Sequence, residues 1–370
     1  MANILVNGYR ATTGGGKMIL DNYIKNLSYT SPEHNYIIIT PNKKEYNFYQ
    51  TKNISFLNTP LWFKKNILFP ILYFLYYPII IKKFKIDLVF NFGDVIIPTK
   101  THQIYFFDWP YAVYKDKMIW NEMFFLEKFS RKIKAELIKV YISKVSLVLA
   151  QTEEMKSRLK SFFNINKIVV IPTPVGVSPI GCENAILQHK NTINLLYPAS
   201  FYPHKNHNIL LSVAEILKQR KLKYRIYITI DNSNFIKTIN KRKLDDYLVN
   251  LGLLNKTQIN CAYQNCDAIL MPTLLETYGL PYYEAMAYKK PIITSNLGFA
   301  KDACGDSAVY FDPRDENSII SMIEFTFSNK KKLNERINKG VERYNLLPDW
   351  TSVINMYTEC INKVLNNVKL

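Results

Sequence analysis

The chain has 370 residues, a length typical of two to three domains, each large enough to bury its own core. Hydrophobic residues make up 48% and charged residues 21%, with 12 Gly and 17 Pro, which excludes a disordered, collagen-like or low-complexity chain. Lys and Arg outnumber Asp and Glu by 48 to 30, a net charge of +18, and the excess is larger in residues 1–185 than in residues 186–370. We therefore expect anionic partners, such as nucleic acid, a membrane surface or phosphorylated ligands.

The cysteines and the amino terminus both bear on the cellular compartment. The 5 cysteines form no Cys-x-x-Cys pair, and their odd number does not resemble the disulfide framework of a secreted protein. Residues 1–8 enter an apolar run directly, without the basic and long apolar regions of a signal peptide. Both observations favour a cytoplasmic protein.

Short apolar runs rich in β-branched residues alternate with longer amphipathic stretches through the first half of the chain. This alternation is typical of βαβ units on a parallel sheet. The predicted strands are residues 3–7, 36–40, 54–57, 87–91, 103–107, 146–150 and 167–171. The predicted helices are residues 15–30, 61–84, 118–144 and 152–163.

The segment of residues 61–85 is the most apolar part of the chain. Its uninterrupted apolar and aromatic stretch, residues 67–81, is shorter than the roughly 20 residues of a membrane span. It is bracketed by two pairs of lysines (Lys64, Lys65, Lys82, Lys83). Two interpretations stay open: a buried or half-buried helix of a layered domain, or a helix whose Lys and Tyr residues touch a bilayer surface.

A Pro-rich stretch, residues 172–179, and the polar residues up to 192 form the predicted linker. The alternation then restarts with predicted strands 194–197, 224–230, 268–271, 291–295 and 308–311. The predicted helices are 206–220, 239–251, 280–288, 315–328, 330–345 and 350–367.

Two successive α/β halves predict an α/β fold of two doubly wound Rossmann-like domains facing a cleft. We expect one such domain in residues 1–178, a second in residues 179–348, and a helix in residues 349–370 that crosses back to the first domain. Ligands in such sheets bind at the carboxyl ends of the strands, so we expect the chemistry there.

A triple glycine, Gly14 to Gly16, follows the first predicted strand and precedes Lys17. The spacing is not that of a Walker A motif, because Ala11 stands five residues before Gly16 and Met18 follows the lysine. Glycines between a strand and a helix still let backbone amides approach an anion closely. We therefore expect Gly15 and Gly16 to contact a ligand.

The sequence gives little support to metal chemistry. His204 and His207 are three residues apart, but two histidines are too few ligands for a metal site. We interpret them as a pair on the surface. No Asp-x-Asp motif occurs, although an enzyme that holds a nucleotide diphosphate through a divalent cation normally needs neighbouring carboxylates. We therefore predict no metal ion and no cofactor, and expect Lys, Arg and helix N-termini to neutralise bound anions.

Residues 271–295, MPTLLETYGLPYYEAMAYKKPIITS, carry two glutamates around the start of a predicted helix. Pro281 favours a helix that begins near Gly279. The amides of residues 277–280 and the helix dipole then form an anion site, flanked by Glu276 and Glu284, which could bind hydroxyls. A phosphate between two such carboxylates describes a nucleotide sugar; the alternative is a capped helix with solvated acids.

This stretch resembles the Glu-x7-Glu signature of retaining glycosyltransferases of family 4, which have the two-domain GT-B fold. Further matches follow the same order: TGGGK, IPTPVGV before the linker, Lys205-Asn206, YLVNLG at 247–252, Tyr263, CDAIL, GDSAVYFDP at 305–313 and Trp350. The resemblance implies that Glu284 binds the nucleotide ribose, that Glu276 lies against the donor sugar, and that Lys205 holds the diphosphate with helix amides. It also implies that residues 1–178 bind the acceptor and that residues 179–348 bind the donor. The donor-binding residues it implies are Gly15, Gly16, Ser200, Lys205, Glu276, Thr277, Tyr278, Gly279, Leu280 and Glu284.

Two positions depart from the pattern of the family. Many members have an Arg about five residues before the Lys, where this chain has Ser200, so diphosphate binding would rest more on Lys205 and the helix amides. The family's His-Asp motif reads Phe107-Asp108 here. If Phe107 replaces the histidine, we expect Asp108 or Trp109 to line the acceptor site.

His102 precedes a predicted strand and is not expected to replace the missing imidazole. The candidate catalytic residues are therefore Glu276, Lys205 and Asp108.

We therefore expect a metal-independent, retaining glycosyltransferase that moves a sugar from a nucleotide-diphosphate donor to a glycan or lipid-linked acceptor, in bacterial surface polysaccharide or lipid-linked glycan synthesis. Basic residues of the first half suit either an enzyme held peripherally on the inner face of the cytoplasmic membrane, at an anionic surface, or a basic surface that serves solubility. They are Lys64, Lys65, Lys82, Lys83, Arg131, Lys132 and Lys134.

Two rival functions would also fit parts of this sequence. A sugar-nucleotide epimerase shares the architecture, but the Glu-x7-Glu stretch argues against it. A nucleic-acid-binding protein would use the basic charge, but no base-reading motif occurs, so we expect no nucleic acid partner.

Overall fold

The computed structural model describes residues 1–12, 14–29, 33–40, 42–57, 59, 69–93, 95–114, 117–121, 123–177, 182, 187 and 191–367. The chain divides into two compact units. Unit 1 comprises Met1–Lys115, Phe124–Pro174 and Pro348–Leu370, and unit 2 comprises Asp116–Met123 and Val175–Leu347. Each unit contains one open β-sheet whose described strands are all parallel, which confirms the predicted pair of doubly wound α/β domains.

Unit 1 is built on a seven-stranded sheet of order β3-β2-β1-β4-β5-β6-β7. Its strands are β1 (Asn3–Asn7), β2 (Asn35–Ile39), β3 (Ile54–Leu57), β4 (Leu88–Asn91), β5 (His102–Phe106), β6 (Leu147–Ala150) and β7 (Ile168–Val170). The strands are buried almost throughout, because helices cover both faces of a parallel sheet. From β1 the chain adds β2 and β3 on one side of the sheet and then β4 to β7 on the other side. The loop after β1 therefore starts at the switch point of this sheet.

Unit 2 is built on a six-stranded sheet of order β10-β9-β8-β11-β12-β13. Its strands are β8 (Ile193–Tyr197), β9 (Tyr224–Ile228), β10 (Leu248–Asn250), β11 (Ala268–Met271), β12 (Ile292–Ser295) and β13 (Ala308–Phe311). From β8 the chain winds toward β9, and from β11 it winds toward β12 on the other side. The loops after β8 and β11 therefore start side by side at the switch point, where ligands of such sheets bind.

The α-helices connect the strands and cover the sheets. They are α1 (Gly14–Tyr29), α2 (Phe69–Ile71), α3 (Tyr77–Lys83), α4 (Lys117–Asn121), α5 (Phe125–Tyr141), α6 (Glu153–Phe163), α7 (Ile209–Gln219), α8 (Ser233–Lys241), α9 (Lys256–Asn265), α10 (Leu280–Ala287), α11 (Gly298–Cys304), α12 (Glu316–Ser328), α13 (Lys330–Asn345) and α14 (Trp350–Leu365). A π-helical turn, Leu72–Tyr76, joins α2 to α3. None of the described helices is both long and apolar enough to cross a membrane.

The closing helix α14 belongs to unit 1, as its sequence pattern predicts. Its buried face joins the core of that unit, where the ring of Tyr357 lies 5.4 Å from Phe90 and 6.0 Å from Tyr23. At its far end, the Asn362 side chain hydrogen-bonds His34 at 2.7 Å. The last helix of the chain therefore completes the core of the first unit.

The predicted helix over residues 239–251 is wrong. Helix α8 ends at Lys241, Lys243 adopts a left-handed φ of 55°, and Leu248–Asn250 pairs with β9 as the edge strand β10. Leucines at 244, 248 and 251 have helical spacing, which misled the prediction, but a three-residue edge strand carries no periodicity of its own. The predicted helix 118–144 is likewise two helices, and α9 and α11 were not predicted.

The apolar segment of residues 61–85 falls only in part within the described residues. Residues 61–68 of the apolar segment, including Lys64 and Lys65, lie outside them. The remainder is the α2–α3 helix, with Tyr73 and Tyr77 buried in the core of unit 1 and Ile79 exposed. This part of the segment is thus a half-buried helix. Contact of its exposed face with a bilayer stays a prediction.

The cysteines do not all remain thiols. Cys182 and Cys261 form a disulfide within unit 2, with Cα atoms 5.2 Å apart, although the cysteine pattern did not resemble a disulfide framework. Cys266, Cys304 and Cys360 are free and buried. One cross-link therefore joins the predicted linker to α9.

Candidate functional site

Lys205 and Glu276 meet at the switch point of unit 2. The ammonium of Lys205 lies 2.5 Å from Oε1 of Glu276, and both side chains are largely shielded from solvent. Lys205 follows β8 and Glu276 follows β11, which are adjacent parallel strands. Two residues that the sequence predicted for a donor site are thus in direct contact.

The loop after β8 is held in place on both sides of Lys205. The hydroxyl of Tyr197, the last residue of β8, donates a 2.6 Å hydrogen bond to the carbonyl of Lys205. Asn206, with a left-handed φ of 56°, donates from its side-chain amide to the carbonyls of Pro272 (3.0 Å) and Pro313 (2.8 Å). These bonds join the loops after β8, β11 and β13 and fix the position of the lysine.

The loop after β11 is held against the same lysine loop. The amide of Leu274 donates to the carbonyl of His204 at 2.8 Å. The Thr273 hydroxyl lies within hydrogen-bond distance of that carbonyl and, at 3.2 Å, of Oε1 of Glu276. Glu276 is only 8% exposed, so its charge is balanced by Lys205 rather than by water.

Helix α10 begins beside this pair, as predicted. Gly279 is its N-cap and adopts a left-handed φ of 77°, a conformation that L side chains rarely take. A β-carbon there would lie 2.6 Å from the ring of Tyr282, which is fully buried and hydrogen-bonded to Thr294 at 2.9 Å. Within the first turn the Tyr282 amide donates to the Gly279 carbonyl at 2.9 Å and Pro281 has no N–H, so the amides of residues 277–280, at and just before the helix start, stay the predicted donors for an anion.

Glu284 lies one turn further along α10. Oε2 of its carboxylate accepts a 2.6 Å hydrogen bond from the hydroxyl of Tyr263, whose ring is stacked on that of Tyr288 at 5.4 Å. Burial raises the pKa of Glu284 above its usual 4.5, and the hydrogen bond from Tyr263 partly offsets this. Burial also raises the pKa of Tyr263, which keeps its hydroxyl protonated as the donor.

The interpretation of His204 and His207 as a surface pair is wrong for His207. Its ring is 2% exposed, 4.9 Å from the ring of Tyr197 and 5.1 Å from that of Phe201. Burial, with the nearby Lys205 ammonium, lowers the pKa of His207 from 6.5 to about 3, so the imidazole is neutral at physiological pH. The apolar surroundings of the ring could not be read from the spacing of two histidines.

Unit 1 brings together two more of the predicted residues. A β-carbon on Gly16 would lie 3.4 Å from Oδ2 of Asp108, so the triple glycine, which forms the first turn of α1, approaches the loop after β5. Gly15 and Asp108 are both half-buried. Phe107 is fully buried in a core cluster, so its side chain serves packing.

The other residues that the sequence analysis named are Ser200, Trp109 and His102. Ser200 is exposed in the loop after β8, and Trp109 is half-buried with Lys134 5.8 Å from its ring centre. His102 begins β5 and is exposed at the amino end of that strand, opposite to the end where ligands bind. No three His, Cys, Asp or Glu side chains cluster as a metal site within the described part of the chain, and metal independence stays a prediction.

Sequence reasoning missed the residues that hold the site together. The sequence pattern gives no positioning role to Thr273 or Asn206, and Tyr263 enters it only as a match to the family. Two of these residues carry a weak signal: Thr273 is a polar residue two positions after a strand, and Asn206, a residue type that tolerates a left-handed φ, directly follows the lysine. Their partners lie up to 107 residues away in the chain, which a local pattern does not reveal.

Comparison with known sequences finds matches over part of the chain. Residues 183–343 match the family described as "Glycosyl transferases group 1". The O-antigen chain mannosyltransferase RfbU of Salmonella typhimurium is 25% identical over 222 residues, 56% of this chain and 58% of the relative. The O-antigen biosynthesis glycosyltransferase WclY of Escherichia coli is 23% identical over 163 residues, 44% of this chain and 46% of the relative. The chain thus spans about half the length of the curated relatives it matches.

Solved structures share the fold over nearly the whole chain. Sucrose-phosphate synthase from Thermosynechococcus elongatus superposes with a TM-score of 0.78 at 13% identity, over 99% of this chain and 100% of that one. WaaG, a glycosyltransferase involved in lipopolysaccharide biosynthesis, has a TM-score of 0.71 at 13% identity, over 97% and 99%. Anabaena HepE in complex with UDP-glucose has a TM-score of 0.70 at 14% identity, over 98% and 100%. Residues 183–343, which carry Lys205, Glu276 and Glu284, thus match the group 1 glycosyl transferases within a chain that has the GT-B fold.

Proposed function

We propose that the protein is a retaining, metal-independent glycosyltransferase of the family 4 type, which moves a sugar from a nucleotide-diphosphate donor to an acceptor hydroxyl. The observation that carries the proposal is the contact of Lys205 with Glu276 at the switch point of unit 2. Helix α10 begins shortly after Glu276 in the chain, and Glu284 lies about one turn into that helix. This arrangement combines a cation, aligned amides and two carboxylates, the groups that a sugar diphosphate requires.

Each group has a role in the proposed reaction. Departure of the nucleoside diphosphate builds negative charge on its phosphates, and the Lys205 ammonium with the amides of Tyr278, Gly279 and Leu280 stabilises that charge in the transition state. Glu276 accepts hydrogen bonds from sugar hydroxyls and orients Lys205. Glu284 accepts hydrogen bonds from the ribose hydroxyls through the carboxylate that Tyr263 holds.

The acceptor is proposed to be a glycan or a lipid-linked glycan of a bacterial surface polysaccharide. Support comes from the names of the relatives RfbU and WclY, which are O-antigen enzymes, and from the basic surface of unit 1. On unit 1, we assign Asp108 to the acceptor site, and Gly15 and Gly16 to contact with the donor phosphates or the acceptor; Gly16 lies close to Asp108.

The test is turnover of nucleotide-sugar donors, including nucleotide-linked mannose and UDP-glucose, with lipid-linked acceptors in the presence of EDTA. We expect donor-dependent product with EDTA present, and a loss of about 100-fold or more in kcat for Lys205→Ala and Glu276→Ala. The matched control is Lys237→Ala, an exposed lysine of α8 outside the site, which should retain full activity.

Several results would each overturn part of this proposal. If no donor is bound or turned over, or if product forms without an acceptor as in an epimerase or hydrolase, the transferase assignment fails. If EDTA abolishes turnover, metal independence fails. The anomeric configuration of the product, measured by NMR coupling constants, must equal that of the donor sugar for a retaining enzyme.

A further inference from the structure

Helix α5 of unit 1 turns an apolar row of side chains toward solvent. Phe125 and Phe129 are 79% and 56% exposed, and Ile133 and Val140 are exposed as well. Successive members are four, four and seven residues apart, so they lie on one face of the helix. We call these four residues the outward row. It spans about 22 Å at 1.5 Å per residue, and the rings of Phe125 and Phe129 are stacked at its start.

A basic row runs along one edge of the outward row. Lys128, Lys132 and Lys139 each precede a member of the outward row by one residue, which places them on the same adjacent strip of the helix surface. Within α5 there are 5 basic and 2 acidic residues. Both acids already have a basic neighbour on the helix: Glu127 is paired with Arg131 at 2.7 Å, and Glu136 lies 4.0 Å from Lys139. The surface beside the apolar row is therefore cationic.

The opposite face of α5 is anchored to unit 1, so the outward row cannot rotate inward. Ile138 is fully buried in a core cluster, and the Arg131 guanidinium lies 4.1 Å from the ring centre of Tyr111. Lys134 lies over the ring of Trp109. A helix that buries a narrow, partly polar face and exposes its aromatic residues has the reverse of the pattern of an ordinary surface helix.

A neighbouring helix has the same character. On the α2–α3 helix, Ile71, Leu75 and Ile79 are exposed at four-residue spacing, and Lys82 and Lys83 follow at its end. The buried face of this helix shares a core cluster with Leu137 of α5. Unit 1 therefore exposes apolar rows next to lysines on two helices that pack against one cluster.

We propose that the outward row of α5 docks unit 1 onto the surface of an anionic lipid bilayer. Phe, Ile and Val side chains on one helix face can enter the boundary between headgroups and acyl chains, while lysines at the edge of that face pair with anionic headgroups. The charge of the basic row selects this occupant, because a second copy of the chain would bring the same lysines against each other. The proposal does not depend on the transferase activity, since it concerns binding alone.

The test measures binding of the full chain to vesicles by flotation, without any donor. We expect binding to vesicles of phosphatidylcholine with phosphatidylglycerol, much weaker binding to phosphatidylcholine alone, and weakening by salt. The triple variant Phe125→Ser, Phe129→Ser, Ile133→Ser should bind at least about tenfold more weakly, because it removes apolar area that inserts. Since these side chains are exposed, the variant should unfold at the temperature of the unchanged chain.

Matched controls distinguish binding through the outward row from nonspecific binding through exposed apolar or basic residues elsewhere. The triple variant Phe48→Ser, Leu253→Ser, Leu346→Ser changes equally exposed apolar residues elsewhere and should bind as the unchanged chain does. Replacing Lys128, Lys132 and Lys139 by Gln should weaken binding more than replacing Lys330, Lys331 and Lys332 of α13, which are exposed on unit 2.

Three outcomes would overturn the proposal. The unchanged chain could fail to bind anionic vesicles, or the two serine triples could bind equally. Light scattering could also show a dimer that the α5 triple dissociates while vesicle binding is unchanged, which would assign the row to a second copy. Donor binding of the α5 triple, measured by calorimetry, should be unchanged, so loss of the membrane site and loss of the proposed activity are distinguishable.

Discussion

The hydroxyl of Tyr263 donates a 2.6 Å hydrogen bond to Oε2 of Glu284. The two residues lie on different helices, α9 and α10, and are 21 residues apart in the chain. Burial favours the neutral form of Glu284, whereas this hydrogen bond favours the carboxylate. Tyr263 therefore orients the carboxylate and keeps it ionised at lower pH than burial alone would allow.

This relationship predicts the pH dependence of donor binding. Only the carboxylate form of Glu284 accepts hydrogen bonds through both oxygens, so donor affinity should fall as the pH falls through the raised pKa of Glu284. Tyr263→Phe removes the hydrogen bond that lowers this pKa, so the fall should begin at higher pH. We expect a donor KM about tenfold higher at neutral pH, with a smaller change in kcat.

The measurement is donor affinity by calorimetry between about pH 5 and 8 for both proteins. Tyr247→Phe, a half-buried tyrosine outside the site, is the control and should reproduce the unchanged profile. Identical pH profiles for the unchanged chain and Tyr263→Phe would contradict the role given to Tyr263.

The contact of Lys205 with Glu276 predicts coupled effects on stability. Lys205→Met leaves a shielded carboxylate without its cation, and Glu276→Gln leaves a shielded ammonium without its anion, so each should cost about 3 kcal/mol in free energy of unfolding. The double variant should cost clearly less than the sum, because neither charge is then left unpaired. Chemical denaturation of the four proteins measures the coupling; strictly additive losses would show that the pair does not act as a unit.

From the left-handed conformation of Gly279 we predict that the backbone at the start of α10 matters for donor binding. Gly279→Ala puts a side chain at a φ of 77° and within 2.6 Å of the Tyr282 ring, so we expect a loss of about 2–4 kcal/mol in stability and weaker donor binding.

Gly252 provides the matched control for this substitution. It has a φ of 71°, but nothing lies within 4 Å of an added β-carbon, so Gly252→Ala should cost only about 1 kcal/mol and leave donor binding intact. Thermal unfolding and calorimetry measure both effects. Equal losses in the two variants would mean that the contact with Tyr282 is of no consequence.

His207 predicts a pH-dependent contribution to stability. Its pKa is lowered in the folded chain from 6.5 to about 3, so the unfolded chain binds more protons in this range. The stability gained by burying the neutral ring is complete above pH 6.5 and is lost as the pH falls toward 3. Relative to His207→Phe, the unchanged chain should lose up to about 1.4 kcal/mol per pH unit across that window.

Chemical denaturation of the two proteins at several pH values measures this difference. His102→Phe, which replaces an exposed histidine, should follow the unchanged chain throughout. A difference between the unchanged chain and His207→Phe that stays constant with pH would refute the assignment.

The strands were predicted well because their pattern is local. β1, β3, β11 and β13 match the predicted bounds, and the other strands of unit 1 differ by one residue at one or both ends. The prediction for residues 239–251 failed because no such local pattern exists there. A short edge strand such as β10 is defined by its pairing with β9 rather than by its own periodicity.

The sequence by itself determined the α/β class and the two successive halves. It also determined the placement of Glu276 and Glu284 around the start of a helix, because β-branched runs, Pro281 and glycine positions act over a few residues. Only the tertiary structure decided that Lys205 pairs with Glu276 across 71 residues and that Asn206 bonds the Pro313 carbonyl. The same holds for His207, which is buried, and for α5, which turns its aromatic residues outward. Such contacts depend on strand order and on which helix face packs inward, and these arise from the summed packing of distant segments rather than from local pattern.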